Sequence, residues 1–453
     1  MRKTTWILAP MVLSAALALA PGATGAEAAA QTPAAPPSET APAPAPELIE
    51  RARKILREVP LVDGHNDLPW EMRQRVKNHL GQLDLTTDTS KLEKPMHTDI
   101  PRLRQGGVGA QFWSVYIPAD ISGAEAVVTV MEQIDVVHRL AEIHPDVFEV
   151  ATTAADAERI HKAGKIASLI GMEGGHSIDN SLGALRQLYA AGARYMTITH
   201  SKNNDWADSA TDAPKHGGLT PFGEEVIREM NRLGMLVDLS HVSPETMTDA
   251  MAVSEAPVIF SHSSARAIDA HPRNVPDEIL RRLPEDGGVV MVTFVPSFVS
   301  EEVRAWGARE DAEEARLKTL HPESPDAVKS GLEVWTKANP APKATLAQVA
   351  DHIEHVRKVA GIDHVGIGSD FDGISSTPVG LDGVEDYPAL LAELMRRGWK
   401  DEEIRKLVGR NALRVFREAE QTAARLRTDR PASDALIEEL DKPVTTATQE
   451  RGV

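Results

Sequence analysis

"PFGEEVIREMNRLGMLVDLSH", residues 221–241, decides how the chain folds. Residues 221–234 place apolar side chains on one face of a helix and stop at Gly234, a residue type suited to the left-handed backbone that closes helices. Met235 to His241 then run on almost without a polar break. That stretch is too short for a second helix and apolar enough for a strand buried on both faces. A helix feeding such a strand is the unit of a parallel sheet covered on its outer side. His241, at the end of the run, stands where the strand opens.

Eight such runs occur: 60–65, 107–117, 166–174, 193–200, 235–241, 257–262, 287–294 and 364–371. Most are separated by amphipathic stretches, for example 181–192. Eight strand–helix units over roughly 370 residues predict a (β/α)8 TIM-type barrel with insertions, a doubly wound open sheet being the alternative. The longest insertion, 295–345, is rich in charge and proline, and 301–318 within it reads as a solvated helix.

In a (β/α)8 barrel the chemistry sits at the C-terminal ends of the strands. Here those ends carry His65 and Asp67, Glu173, His200, His241, His262 and Asp370, whereas the strands themselves are apolar. The chain has no cysteine, so a metal site must be built from imidazole and carboxylate, which suit borderline divalent ions, zinc first. Three histidines, one aspartate and one glutamate exceed the ligand set of a single open catalytic zinc. They suit two ions, about 3.5–4 Å apart, that share a carboxylate and activate a bridging hydroxide as nucleophile. A remaining carboxylate can then carry the proton to the leaving group.

Composition narrows the partners. A formal charge of −18 on 453 residues argues against nucleic acid and anionic membranes. Arg2 and Lys3, an apolar run and then small residues read as a signal peptide, 1–28, followed by a Pro/Ala-rich tether, 29–47. The expected layout is completed by a barrel at 48–420 and a polar tail at 421–453, with no transmembrane segment in the mature chain and export to the periplasm or medium.

The motifs "DGHNDLPW", "GMEGGHSIDNSLGALRQLYAAGARYMTITH", "VDLSHVS", "FSHSSARAI", "HPRNVPD" and "VGIGSDFDG" follow one another over about residues 48–420. In order and spacing they resemble the membrane (renal) dipeptidases, dinuclear zinc peptidases of the amidohydrolase-like barrel group. The resemblance implies that His65 and Asp67 hold one Zn2+, that His241 and His262 hold a second, and that Glu173 bridges them. It implies that His200 contacts substrate and steadies the tetrahedral intermediate, that Arg273 receives the substrate's terminal carboxylate, and that Asp370 shuttles the proton. It further implies small peptide substrates, tolerance of a C-terminal D-residue, some β-lactam turnover and, as family members often pair, a homodimer. Phe298 stands where the family places a substrate-contacting tyrosine.

Other roles remain open to these residues. His200 could be a further metal ligand, Arg273 could pair with Asp277, and Asp372 competes with Asp370 as shuttle. Asp63 is a candidate support for His65, and His176 for Glu173. Trp113 and Trp206 could wall the pocket or pack in the core. His352 and His355 are expected on the outer layer, facing solvent. Two other functions compete: a metal-dependent hydrolase of another amide, lactam, lactone or phosphoester on the same barrel, and an inactive zinc-binding or adhesion protein.

Overall fold

Leu61–Asn66 forms the first strand, β1, with all six residues buried. Eight more follow: β2 (Val108–Tyr116), β3 (Phe148–Val150), β4 (Ile166–Glu173), β5 (Ala193–Thr197), β6 (Leu236–Asp238), β7 (Ile259–Phe260), β8 (Val289–Val292) and β9 (Val365–Ile367). The structure is a computed structural model and describes residues 45–441. The strands are parallel, and eight of them close into a ring in the order β1, β2, β4, β5, β6, β7, β8, β9 and back to β1. This is the predicted (β/α)8 barrel, each run of the sequence supplying one strand of the ring.

The remaining strand, β3, lies outside that ring. It pairs with the start of β4, Phe148 opposite Ile166 to Val150 opposite Ser168. β5 takes over the same edge of β4 from Ile170 onward, while β2 runs along the other edge.

Helices form where the sequence caps them. Helix Pro221–Leu233 begins with Thr220, whose side chain accepts the Gly223 N–H, and with proline in its first turn. It ends at Gly234, with φ +83°, a conformation that costs a side-chain-bearing residue most. Phe222, Val226, Ile227, Met230 and Leu233 are buried on its inner face. The insertion after β8 is a helical hairpin, Glu301–Leu320 and Pro325–Ala338. Leu317 is the one fully buried residue of the first helix, so the expected solvated helix is present.

Towards the mouth the ladder thins, and buried carboxylates replace it. Asp63 accepts from the Ser369 N–H and hydroxyl at 2.7 Å each, from the Tyr387 hydroxyl at 2.8 Å and from Gln111 at 3.0 Å. It thereby ties β1 to the end of β9. Asp238 ties β6 to β5 and β7 through Thr197, Ser240 and Ser261. Each carboxylate satisfies several donors that a diverging ladder leaves behind.

The boundary expected at 420 falls inside helix Asn411–Asp429, whose Ala423 and Leu426 are buried. Asp441 reaches back to accept from the Thr220 hydroxyl at 2.6 Å and the Phe222 N–H at 2.9 Å. Packing therefore extends over 421–441, where charged residues mask a short apolar stripe. At the other end the first helix begins at Pro46. Residues 1–44 and 442–453, with the whole expected signal, most of the tether and the end of the tail, lie outside the described residues. Among the described residues no helix is long and apolar enough to cross a membrane.

Candidate active site

The side chains at the strand ends meet. Glu173, the last residue of β4, faces two ways. Its Oε2 lies 3.4 Å from His65 Nε2, and its Oε1 lies 3.0 Å from His241 Nε2 and 3.4 Å from His262 Nε2. His65 Nε2 is also 3.3 Å from Asp67 Oδ2. His200, just past β5, is farther from Glu173 Oε1, at 3.9 Å, and its side chain is 19% exposed. Asp370 completes a group with His65 and Asp67 whose ligand atoms lie within 4.8 Å of one another. The loops are bent tightly to achieve this: His241, Asp370 and Asp372 have φ of +72°, +69° and +64°, a region other residue types avoid and one that collects at functional sites.

Arg273 lies in the wall of the same cavity, which has a volume of about 510 Å³. It is 3% exposed. Its guanidinium donates only two long hydrogen bonds, to Ser263 Oγ and the His262 carbonyl, both 3.4 Å. It lies 5.3 Å from the centre of the Phe298 ring, and Phe298 in turn stacks on His271. Burial lowers its pKa to about 10. Asp277, the alternative partner, is engaged by His355 at 2.7 Å and Arg281 at 3.4 Å. Among the described residues no carboxylate lies within 4 Å of Arg273. It is a buried cation with donors to spare.

Comparison with known proteins decides the family. Residues 49–430 match the model for "Membrane dipeptidase (Peptidase family M19)". The chain belongs to the membrane dipeptidase family. Its fold is similar to that of PvdM, a probable dipeptidase from Pseudomonas aeruginosa: 25% identity, TM-score 0.70, covering 83% of this chain and 99% of that one. The dipeptidase AC, a family M19 metallopeptidase, is 25% identical with a TM-score of 0.65, covering 80% of this chain and 98% of that one. A metallopeptidase from Rhodobacter sphaeroides, solved with a phosphinate mimic of L-Ala-D-Ala, shares the fold at 24% identity and a TM-score of 0.65, covering 80% of this chain and 99% of that one.

The strand-end cluster of this membrane dipeptidase family member fits metal ions. Three groups converge: His65, Glu173 and His262; Glu173, His200 and His241; and His65, Asp67 and Asp370. His65 Nε2, which faces Asp67 and Glu173, is buried without a hydrogen-bond partner, a costly state for a nitrogen that ligates nothing. Burial, with help from Arg273, keeps His241 and His262 well below the usual imidazole range, hence neutral as ligands must be. Burial works downward at His65 too, but Tyr195, Glu173 and Asp67 outweigh it and draw positive charge to that ring. Burial pushes Asp370 well above the usual carboxylate range, and the carboxylates of Asp67 and Glu173 add to this against His65.

One residue between these groups has no room for a side chain. A Cβ on Gly373 would sit 2.3 Å from Asp67 Oδ2 and 2.4 Å from Asp370 Oδ1. Gly373→Ala should therefore displace both carboxylates, lowering metal content and kcat/KM by at least about tenfold, while thermal unfolding changes little because Gly373 lies in a surface loop at the mouth. Metal analysis, peptide turnover and a melting curve on one preparation check this.

The remaining candidates fall into place. His176 donates from Nε2 to the Pro118 carbonyl at 3.1 Å, outside the three groups. Trp113 and Trp206 are core residues, and Trp113 bonds Ser168; the cavity wall is Trp70, set edge-on to Tyr116 at 5.0 Å. His352 is not solvent-facing as expected. It is fully buried and accepts the Ala265 N–H at 3.0 Å, because its helix presents that position to the loop after β7. Sequence reasoning also missed Asp238, although "LVDLSH" at 236–241 repeats the carboxylate-in-strand pattern of "LVDGH" at 61–65.

Proposed function

We propose that this metallo-dipeptidase is an exported enzyme that uses two Zn2+ ions to hydrolyse dipeptides with a free C-terminus, including those ending in a D-residue. The observation that carries the reading is the pairing, in one cavity, of a metal-type cluster with a buried arginine that has no acidic partner. A peptide carboxylate supplies what Arg273 lacks, through the two-pronged contact its planar fork favours. With the terminus held there, only the last peptide bond or two can lie near the cluster, which restricts the enzyme to short substrates.

Bound divalent cations supply water ionised near neutral pH and a polarised scissile carbonyl. The chain's own residues do the rest. His65, Asp67, Glu173, His241 and His262 would hold the ions, and the two oxygens of Glu173 face opposite groups of these residues. His200, the most exposed histidine of the cluster, is placed to contact the substrate oxygen. Asp370, whose carboxyl retains a proton readily, takes up the nucleophile's proton and delivers it to the departing amine. Phe298 offers Arg273 a ring face and no hydroxyl, so the carboxylate rests on the guanidinium alone on that side.

Export is supported by Arg2, Lys3 and the apolar run after them, followed by the Pro/Ala-rich tether; N-terminal sequencing of protein from expressing cells should find a new terminus between residues 23 and 30. The deciding experiment assays metal-analysed protein against L-Ala-L-Ala, L-Ala-D-Ala and their C-terminal amides. The free acids should be cleaved and the amides should resist. Equal turnover of acids and amides, or two equivalents of zinc with no dipeptide cleavage, would move the reading to another amide, lactam, lactone or phosphoester.

A further inference from the structure

A chain of hydrogen bonds enters the metal cluster from a carboxylate that does not belong to it. Asp238 accepts from the N–H of Ser240 at 3.1 Å, the N–H of Ser261 at 2.8 Å, the Ser261 hydroxyl at 2.6 Å and the Thr197 hydroxyl. It is fully buried. A carboxyl that accepts from four donors and donates to none is acting as a carboxylate. Ser261, also fully buried, has one hydroxyl hydrogen, and that hydrogen goes to Asp238. Its oxygen lies 2.8 Å from His262 Nδ1. The hydrogen in this second contact must therefore come from the imidazole. His262 is thus protonated on Nδ1, and its Nε2 lone pair faces Glu173 Oε1 at 3.4 Å and His241 Nε2 at 2.9 Å.

The neighbouring histidines are held differently. His65 Nδ1 meets the Tyr195 hydroxyl at 2.9 Å, and that hydroxyl donates to the Gly64 carbonyl at 3.2 Å. The same logic fixes the His65 tautomer, but the chain ends on a neutral acceptor. His241 Nδ1 has no partner. Of the three, only His262 is backed by a buried carboxylate one hydroxyl away.

We propose that Ser261 and Asp238 are positioning residues for the cations. They lock His262 in the tautomer that aims its Nε2 lone pair into the cavity, and the nearby carboxylate makes that nitrogen a stronger donor. Partners of this kind typically set metal affinity by ~10–100-fold. The inference rests on the cluster being a cation site, as argued above.

The test uses the full chain, stripped with a chelator and titrated with Zn2+ alone against a competing dye. The wild type should take two equivalents. Ser261→Ala should weaken one of them ~10–100-fold and leave the other unchanged, and Ser261→Thr, which restores a hydroxyl, should recover the loss. In parallel, 15N NMR of histidine-labelled, metal-free wild type should show His262 protonated on Nδ1, a signature that requires no variant to fold. Undiminished binding of both equivalents by Ser261→Ala overturns the proposal. So does a loss that Ser261→Thr leaves uncorrected, or a wild-type His262 protonated on Nε2. A wild type that binds no divalent cation instead defeats the underlying metal reading, and the tautomer measurement still decides the hydrogen-bond chain on its own.

Discussion

Asp370→Asn should lower kcat for dipeptide hydrolysis by about 10²–10⁴-fold, the range for losing a positioned proton carrier. Metal content and KM should stay close to the wild type. The substitution is close to isosteric, and asparagine accepts the left-handed backbone that residue 370 adopts at φ +69°. Its backbone N–H, which bonds the His65 carbonyl at 3.1 Å, is unaffected. What changes is the capacity to take and return a proton at a half-buried position where the carboxyl is easily protonated. Metal analysis and steady-state kinetics on one sample decide the outcome. If metal is lost along with activity, Asp370 is a ligand in its group with His65 and Asp67 and the shuttle must be found elsewhere.

Arg273→Met should cost dipeptides about 10²–10³-fold in kcat/KM, most of it through KM. That corresponds to ~3–4 kcal/mol, within the range for removing one partner of a desolvated charged pair. A neutral amide substrate without a carboxylate should lose almost nothing, so the ratio of the two isolates the contact. Stability should move the other way. Arg273 is a buried cation whose protein hydrogen bonds are long, and replacing an uncompensated charge with an apolar chain of similar length is often neutral or stabilising. The melting temperature should hold or rise. A variant that kept wild-type KM for L-Ala-L-Ala would remove Arg273 from substrate binding and with it the main support for a carboxylated substrate.

Much of this was legible in the sequence because burial is written into composition. Strands covered on both faces must be apolar, so a histidine or carboxylate at a strand end stands out, as His65, Glu173, His241 and His262 do. The parts that escaped share a cause: their partners are distant along the chain. β3 is three residues long and exists only because the start of β4 has a free edge. Asp238 looks like one polar residue in a strand until Thr197, Ser240 and Ser261 gather around it. His352 reads as part of a polar helix until the Ala265 amide is seen pointing at it. The packing of 421–441 hangs on two buried residues, Ala423 and Leu426, and on Asp441 reaching across to Thr220.

The left-handed residues at the mouth bear on how such an enzyme can diversify. Positions 241, 370 and 372 admit few side chains without strain, so point changes there offer little scope for new specificity. Between residues 293 and 345, after β8, no described residue has positive φ, and it is there that the chain carries its long helical hairpin. That arm is a place where the barrel can grow longer without disturbing the left-handed residues that shape the mouth.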